Sequence, residues 1–186
     1  MSKVYLKIPN EEEMHHRKKW MEDPKTMEYN SGYDSNIVGY NYETGTITKP
    51  INDHIEWLNN WKNEAPRKFY SFIIERETNT PIGEIYFYYN EQSMIHNMGI
   101  LIDYNYREKH YSKDAIKELL TIAFDVNHIK GLSDIIPLSR KSAISAFKSL
   151  GFYQNRIVTS TRFNKPEEAA ELIITRDAYN KNKENY

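Results

Sequence analysis

Apolar positions come in short bursts along this chain, and their spacing switches between the strand period of two and the helix period near 3.6. Residues 4–8 alternate and predict a first strand, ended by Pro9. Asn10 followed by Glu13 resembles a capping box, so a helix is expected from there to about Glu22, stopped by Asp23-Pro24. A second helix follows Pro50, with Ile51, Ile55 and Leu58 on one stripe and Trp57 and Trp61 one turn apart. Three strands come next, at 68–75, 82–89 and 94–103, with a turn at 78–81 between the first two.

The stretch 98–127 organises the rest of the chain. Residues 99–102 are apolar at strand length, and residues 106–111 carry Arg107, Lys109 and His110. Ser112 is a good N-cap, and the charge of Asp114 suits a first helical turn. Ile116, Leu119, Leu120, Ala123 and Phe124 then recur at helical spacing. A strand that feeds a helix through a basic turn suits an anion, because the first backbone N–H groups of a helix have no internal partner. The same pattern also describes an ordinary strand–helix junction with solvated charges. Further on, 132–136 reads as a strand, and 139–150 as a helix with Ala143, Phe147 and Leu150 inward and Gly151 at C′. Two more strands are expected at 153–163 and 171–176, around a turn at Asn164-Lys165-Pro166. Residues 1–177 form one domain in this reading, and the polar tail 178–186 is expected to fray.

Some residues stand out from the pattern. Residues 26–48 lack a sustained period, and a loop of that length inside a domain is usually functional or mobile. Its Tyr29, Tyr33, Tyr40 and Tyr42 either wall a substrate pocket or shield the core. Glu84 shares a strand face with Tyr86 and Tyr88; it is either a general base with a raised pKa or a satisfied strand residue. Asp134 lies in an apolar strand, which is costly unless it is paired or used. His96 shares a face with Met98, Ile100 and Ile102, and Gly99 hints at a bulge or a close backbone approach. His15 and His16 point about 100° apart on their helix and make a poor metal site, so no metal is expected.

Bulk properties narrow the class. A chain of 186 residues suits one domain, and 39% hydrophobic with 27% charged residues is a globular composition. A formal net charge of −1 argues against a nucleic-acid partner. There is no cysteine, which removes disulfides, thiolate metal sites and a cysteine nucleophile. The start carries no apolar leader and no run reaches membrane-span length, so a cytoplasmic protein without a membrane partner is expected.

The order β, α, α, β, β, β, α, β, α, β, β carries two signatures. Arg107-Glu108-Lys109-His110-Tyr111-Ser112 resembles a Q/R-x-x-G-x-G/A turn, and about forty residues on, residues 146–152 (AFKSLGF) resemble a helix ending of the form ΦY-x-x-x-GF. Together they resemble the GCN5-related N-acetyltransferase (GNAT) superfamily over residues 4–176, nearer the branch of ribosomal-protein and aminoglycoside acetyltransferases. The resemblance implies an α/β (α+β) fold: a mixed, mostly antiparallel sheet of six to seven strands, helices on both faces and a splayed central strand pair. It implies acetyl-CoA as cosubstrate and direct transfer to a primary amine of a small molecule or peptide. It assigns cofactor contacts to Met98, Ile100 and Ile102, to Arg107, Glu108, Lys109, His110, Tyr111 and Ser112, and to Phe147. Glu84 and Asp134 become candidate bases or ligands for a substrate ammonium, with Tyr29, Tyr33, Tyr86 and Tyr88 at the acceptor and Tyr88, Tyr104 or Tyr111 as proton donors. A homodimer is compatible with it. Two departures motivate an alternative, a degenerate domain that binds CoA or a protein partner without turnover. His110 stands where the family has its central glycine, and Phe147 where it often has a tyrosine acid.

Overall fold

The computed structural model describes residues 2–64 and 66–185. In chain order the elements are β1 (Val4–Lys7), α1 (Met14–Glu22), α2 (Pro24–Met27), α3 (Ile51–Lys62), β2 (Lys68–Glu75), β3 (Thr80–Asn90) and β4 (Ile95–Ile102). Then come α4 (Tyr111–Thr121), β5 (Gly131–Pro137), α5 (Lys141–Lys148), β6 (Tyr153–Arg162), β7 (Lys165–Thr175) and α6 (Arg176–Asn182). One seven-stranded sheet runs β1-β2-β3-β4-β5-β7-β6. Every neighbouring pair is antiparallel except β4 and β5. Among the described residues, no helix is long and apolar enough to cross a membrane.

Alternation along the strands divides the core in two. Ile85 and Phe87 of β3 and Met98 of β4 pack with Ala115, Ile116, Leu119 and Leu120 of α4. On the other face, Tyr70, Phe72 and Ile74 of β2 pack with Met14 and Trp20 of α1 and Leu58 of α3. Each such side chain contributes roughly 1.5–3 kcal/mol by leaving water, so the period-two pattern fixes which face each strand presents. The capping box at the entry to α1 forms: Asn10 N–H donates to Glu13 Oε2 (3.0 Å) and Glu13 N–H donates to Asn10 Oδ1 (2.9 Å). Regular helix begins one residue later, at Met14.

The parallel pair is short. β4 and β5 pair only at His96 with Leu132 and Asn97 with Ser133. Beyond that, β5 follows β7 in unbroken register from Gly131–Thr175 to Pro137–Ala169. From Met98 onward the β5-facing edge of β4 has no strand partner, and Asp134 is the first β5 residue inside the resulting wedge. Gly99 is opposite Tyr86 in a register without a shift, so it marks no bulge. A Cβ there would overlap the Tyr86 ring, and the glycine lets that ring lie flat across β4.

The loop after α2 spans the open side of the wedge. Ile47 N–H donates to Met21 O (2.8 Å), tying the loop to α1. Phe163 N–H donates to Gly32 O (2.7 Å) and Arg162 Nε donates to Ser31 O (2.9 Å), tying it to the β6–β7 hairpin. That hairpin turns at Phe163 (φ 48°) and Asn164 (φ 57°), both left-handed as a two-residue turn between twisted strands requires. The turn is thus tighter than the expected Asn164-Lys165-Pro166, and β7 begins at Lys165 rather than at 171.

Two local expectations are corrected. Ser112 is not the N-cap of α4; His110 holds that position and the helix begins at Tyr111. The tail does not fray at 178. Residues 176–182 form α6, capped by Thr175 Oγ1, which accepts from Ala178 N–H at 3.3 Å. Tyr179 is 2% exposed, stacks on Phe124 with ring centroids 4.9 Å apart, and donates its hydroxyl to Asp125 Oδ2 (2.7 Å). The segment looks polar because Tyr179 is its one large buried side chain among the described residues. Tyr179→Ala should therefore cost about 3–5 kcal/mol. In a thermal melt of a chain this size that lowers Tm by roughly 6–20 °C, whereas a frayed tail would leave the midpoint unmoved.

Candidate active site

A cavity of about 480 Å³ lies on the α1/α3 face of the sheet, against β3, β4 and the long loop. Tyr86 and Tyr88 of β3 enter it, as the shared strand face requires, and Tyr33 and Tyr40 enter from the loop. Tyr42 does not; it packs edge-on against Phe163. Trp57 and Trp61 of α3 complete the aromatic wall. Tyr33 is held in place by its hydroxyl bond to Glu167 and by Arg162 above its ring.

The floor carries a buried ion pair. Glu84 is 2% exposed, and its Oε2 lies 3.1 Å from Arg17 Nε and accepts the Tyr70 hydroxyl at 2.6 Å. The Arg17 guanidinium lies 4.1 Å above the Trp57 ring, and its Nη1 donates to His54 Nδ1 at 2.8 Å. Burial opposes the Arg17 charge, but Glu84, Tyr70 and Tyr86 outweigh it and hold the group cationic. Burial and the adjacent Arg17 push the His54 imidazole down to about 4, so it stays neutral and can accept that bond. The geometry makes Glu84 the buried counter-ion of Arg17.

Asp134 differs. It is half-buried at the mouth of the wedge. Burial pushes its carboxyl up to about 7, with the Ile135 N–H (2.8 Å) and Arg140 opposing. Its charge reaches the cavity wall: the Tyr86 phenol is raised by burial first, then by Glu84 and Asp134. Asp134 does not line the cavity; it shares the α4-facing side of β5 with Leu132 and Ile136, and a carboxyl raised toward neutrality beside the wedge is of the kind that can accept a proton.

At the wedge's open end, the turn from β4 into α4 contains two left-handed residues, Glu108 (φ 64°) and His110 (φ 65°). His110 is therefore in the backbone conformation that glycine adopts freely. The first N–H groups of α4 have no partner within the helix, no side chain caps them, and the Glu108 and His110 side chains are exposed. Not all of the expected cofactor residues present side chains there. Met98 and Phe147 (3% exposed) are core residues, Phe147 packing against Phe152 at 4.8 Å, and the Tyr111 hydroxyl is bound to Glu75. Ile100 and Ile102 pack against the core beside them. Lys109 lies 5.2 Å above the Tyr106 ring. Arg107 faces inward, donating to Ile102 O (3.3 Å), Thr26 O and Glu28.

Tyr29 is also placed differently from expectation. It is 42% exposed and lies outside the cavity, with the Arg107 guanidinium 4.7 Å and that of Arg140 4.1 Å from its ring centre. These arginines come from the two sides of the wedge, one after β4 and one after β5. Of the three tyrosines considered as donors, only Tyr88 lines the cavity, because Tyr111 is engaged by Glu75 and Tyr104 lies under Lys25 and Arg107.

Arg17, His54, Trp57 and Trp61 escaped the sequence reading as site residues. The signal for Arg17 was its spacing: Met14, Arg17 and Met21 fall at i, i+3 and i+7, which puts a cation on the buried stripe of α1. Removing one partner of a buried pair leaves the other charge uncompensated, at about 3–5 kcal/mol. Glu84→Gln should accordingly lower Tm by roughly 6–20 °C in a thermal melt. A base without structural duties would lose turnover at an unchanged midpoint.

A family model for an acetyltransferase (GNAT) domain matches residues 4–153. No curated protein gives a significant match to the sequence. Among solved structures, a chimera of the spermidine N-acetyltransferase SpeG from Vibrio cholerae and hSSAT superposes with a TM-score of 0.73 at 11% identity, over 96% of this chain and 98% of that one. A GNAT-family acetyltransferase from Bacillus anthracis gives 0.69 at 12%, over 95% and 96%. FdhC, a nucleotide-linked sugar GNAT, gives 0.67 at 17%, over 100% and 93%. At these identities the structures establish the fold, and the family match establishes kinship: this chain belongs to the GNAT family of acetyltransferases.

Proposed function

We propose that the protein transfers an acetyl group from acetyl-CoA directly to a primary amine of a small molecule or peptide. The observation that supports this reading is the wedge itself: the unpaired edge of β4 runs from Met98 toward the cradle-like turn, with Asp134 the first β5 residue beside it. The residues fit the cosubstrate. The turn at 107–112 offers the first N–H groups of α4 to a diphosphate, with Lys109 and Arg140 adding charge nearby. The unpaired edge of β4 from Met98 to Ile102 offers main-chain groups to an extended amide-rich arm, as one strand pairs with another.

Bound acetyl-CoA supplies an acyl group already activated as a thioester. The chain's own contribution is placement and proton transfer. The cavity holds the acceptor with its amine toward the wedge, and Asp134 takes the proton as nitrogen bonds to the carbonyl carbon. A β4 backbone N–H stabilises the developing oxyanion. The C–S bond breaks, and Tyr88 is the cavity phenol available to return a proton to sulfur. No enzyme-bound acyl intermediate is needed. A second reading, a domain that binds CoA without turnover, is favoured by one observation: His110 carries a side chain in the left-handed cradle.

The two readings separate in solution. Acetyl-CoA at about a hundred times its Kd should stabilise the fold by about 2.7 kcal/mol, a rise of roughly 5–11 °C in Tm; no rise at millimolar concentration refutes both. Release of CoA thiol in the presence of an amine then supports the enzyme, and its absence across amines supports the binder. Asp134→Asn should lower kcat about 10²–10⁴-fold with little change in CoA affinity. The sign of the pH effect follows from the raised pKa. Below about 7 the carboxyl holds its proton and cannot accept another, so wild-type turnover should fall there, and the variant should lose that limb. His110→Gly should tighten CoA binding in calorimetry by opening the cradle. Its melting point should change little, since relief of the left-handed side chain and the added chain entropy offset to within about 1 kcal/mol. Weaker binding would make the histidine a ligand.

A further inference from the structure

We infer that the acceptor is a primary amine on a flat, apolar body with no second cationic centre, an arylalkylamine rather than a polyamine. This rests on the acetyl-transfer reading only for which end of the acceptor reacts. The charge around the cavity carries the argument. Three charged residues line it, Arg17, Asp34 and Glu84. Glu84 is matched by Arg17 at 3.1 Å, so the floor offers no free negative charge to a ligand. Asp34 is exposed on the loop at the rim, and Asp134 is not among the residues that line the cavity. A triamine in this space would bring an ammonium group to a floor whose carboxylate is already paired, and an unpaired buried cation is strongly disfavoured.

Aromatic faces are the other usual means of holding a cation, and two of these are already taken. Arg17 covers the Trp57 ring at 4.1 Å, and Lys68 lies 5.7 Å from the centre of Trp61. The surfaces left over are suited to rings. Tyr86 and Tyr88 stand nearly parallel, 28° apart in plane with centroids 6.5 Å apart. Trp61 meets both edge-on, at 5.4 Å and 6.1 Å. Met21, Met27, Ile37 and Ile47 supply the apolar remainder. A flat ring gains contact on every side of such a slot, whereas an extended polycation gains little.

The test uses the full-length protein and four amines: 2-phenylethylamine, tryptamine, spermidine and glucosamine. Calorimetric titration of each into the protein reads binding without requiring turnover. The arylalkylamines should bind at least about tenfold tighter than spermidine and glucosamine, and their kcat/KM should rank in the same order. Equal or tighter binding of spermidine or glucosamine overturns the inference, as does failure of both arylalkylamines to bind at millimolar concentration. If the arylalkylamines bind with the expected preference but none is acetylated, the acetyl-transfer reading fails and the ligand class stands. Trp61→Ala should weaken the arylalkylamines roughly tenfold and leave spermidine unaffected, with Trp61→Phe restoring most of the loss. Equal losses for all four amines in Trp61→Ala would also overturn it.

Discussion

Among the described residues, only two strand pairs, His96 with Leu132 and Asn97 with Ser133, join the halves of this sheet, and the wedge opens because there are no more. Had β4 and β5 continued in parallel register past Asn97 and Ser133, the edge of β4 would be hydrogen-bonded and Asp134 would lie inside a ladder. Instead β5 keeps its full antiparallel register with β7. Parallel pairing is slightly weaker per residue than antiparallel. The wedge therefore opens at the sheet's single parallel junction, and the β5–β7 ladder stays whole. The proposed cosubstrate site lies along that opening, with the left-handed turn at its end and Asp134 at its start.

The buried Arg17–Glu84 pair has a different role. Replacing such a pair by apolar side chains is often neutral or stabilising, so its presence needs a reason other than stability. Its position supplies one. It fixes α1 to β3 beneath the cavity, clamps Trp57 under a guanidinium and keeps the floor electrically neutral. The carboxylate that on sequence alone invites assignment as a base is also the buried counter-ion of Arg17.

Much of the architecture was legible in the sequence because it rests on local rules. Alternation placed Tyr86 and Tyr88 beside Glu84 on one strand face, the Asn10–Glu13 pair formed its reciprocal bonds, and the two distant signatures located the turn and the helix that flank the wedge. What stayed hidden depends on residues brought together from far apart. The partner of Glu84 lies 67 positions earlier in a basic-looking helix, HHRKKW, where an arginine reads as solvated unless its apolar neighbours at i−3 and i+4 are counted. Tyr29 looked like a pocket residue because it lies in a tyrosine-rich loop, yet two arginines from opposite sides of the wedge hold it elsewhere. The tail was misread from composition, although Thr175 supplies a cap and Tyr179 an anchor.

The placement of Tyr29 has a thermodynamic consequence. Arg107 and Arg140 share one ring, and Arg107 also holds Glu28 and the carbonyl of Thr26, so both arginines are wired to the segment that continues into the cavity wall at Tyr33. Any anion that draws these guanidinium groups toward itself competes with that segment for them. Ligands on the two flanks of the wedge are then not independent: occupancy of one changes the free energy of the other, and by the same factor in each direction.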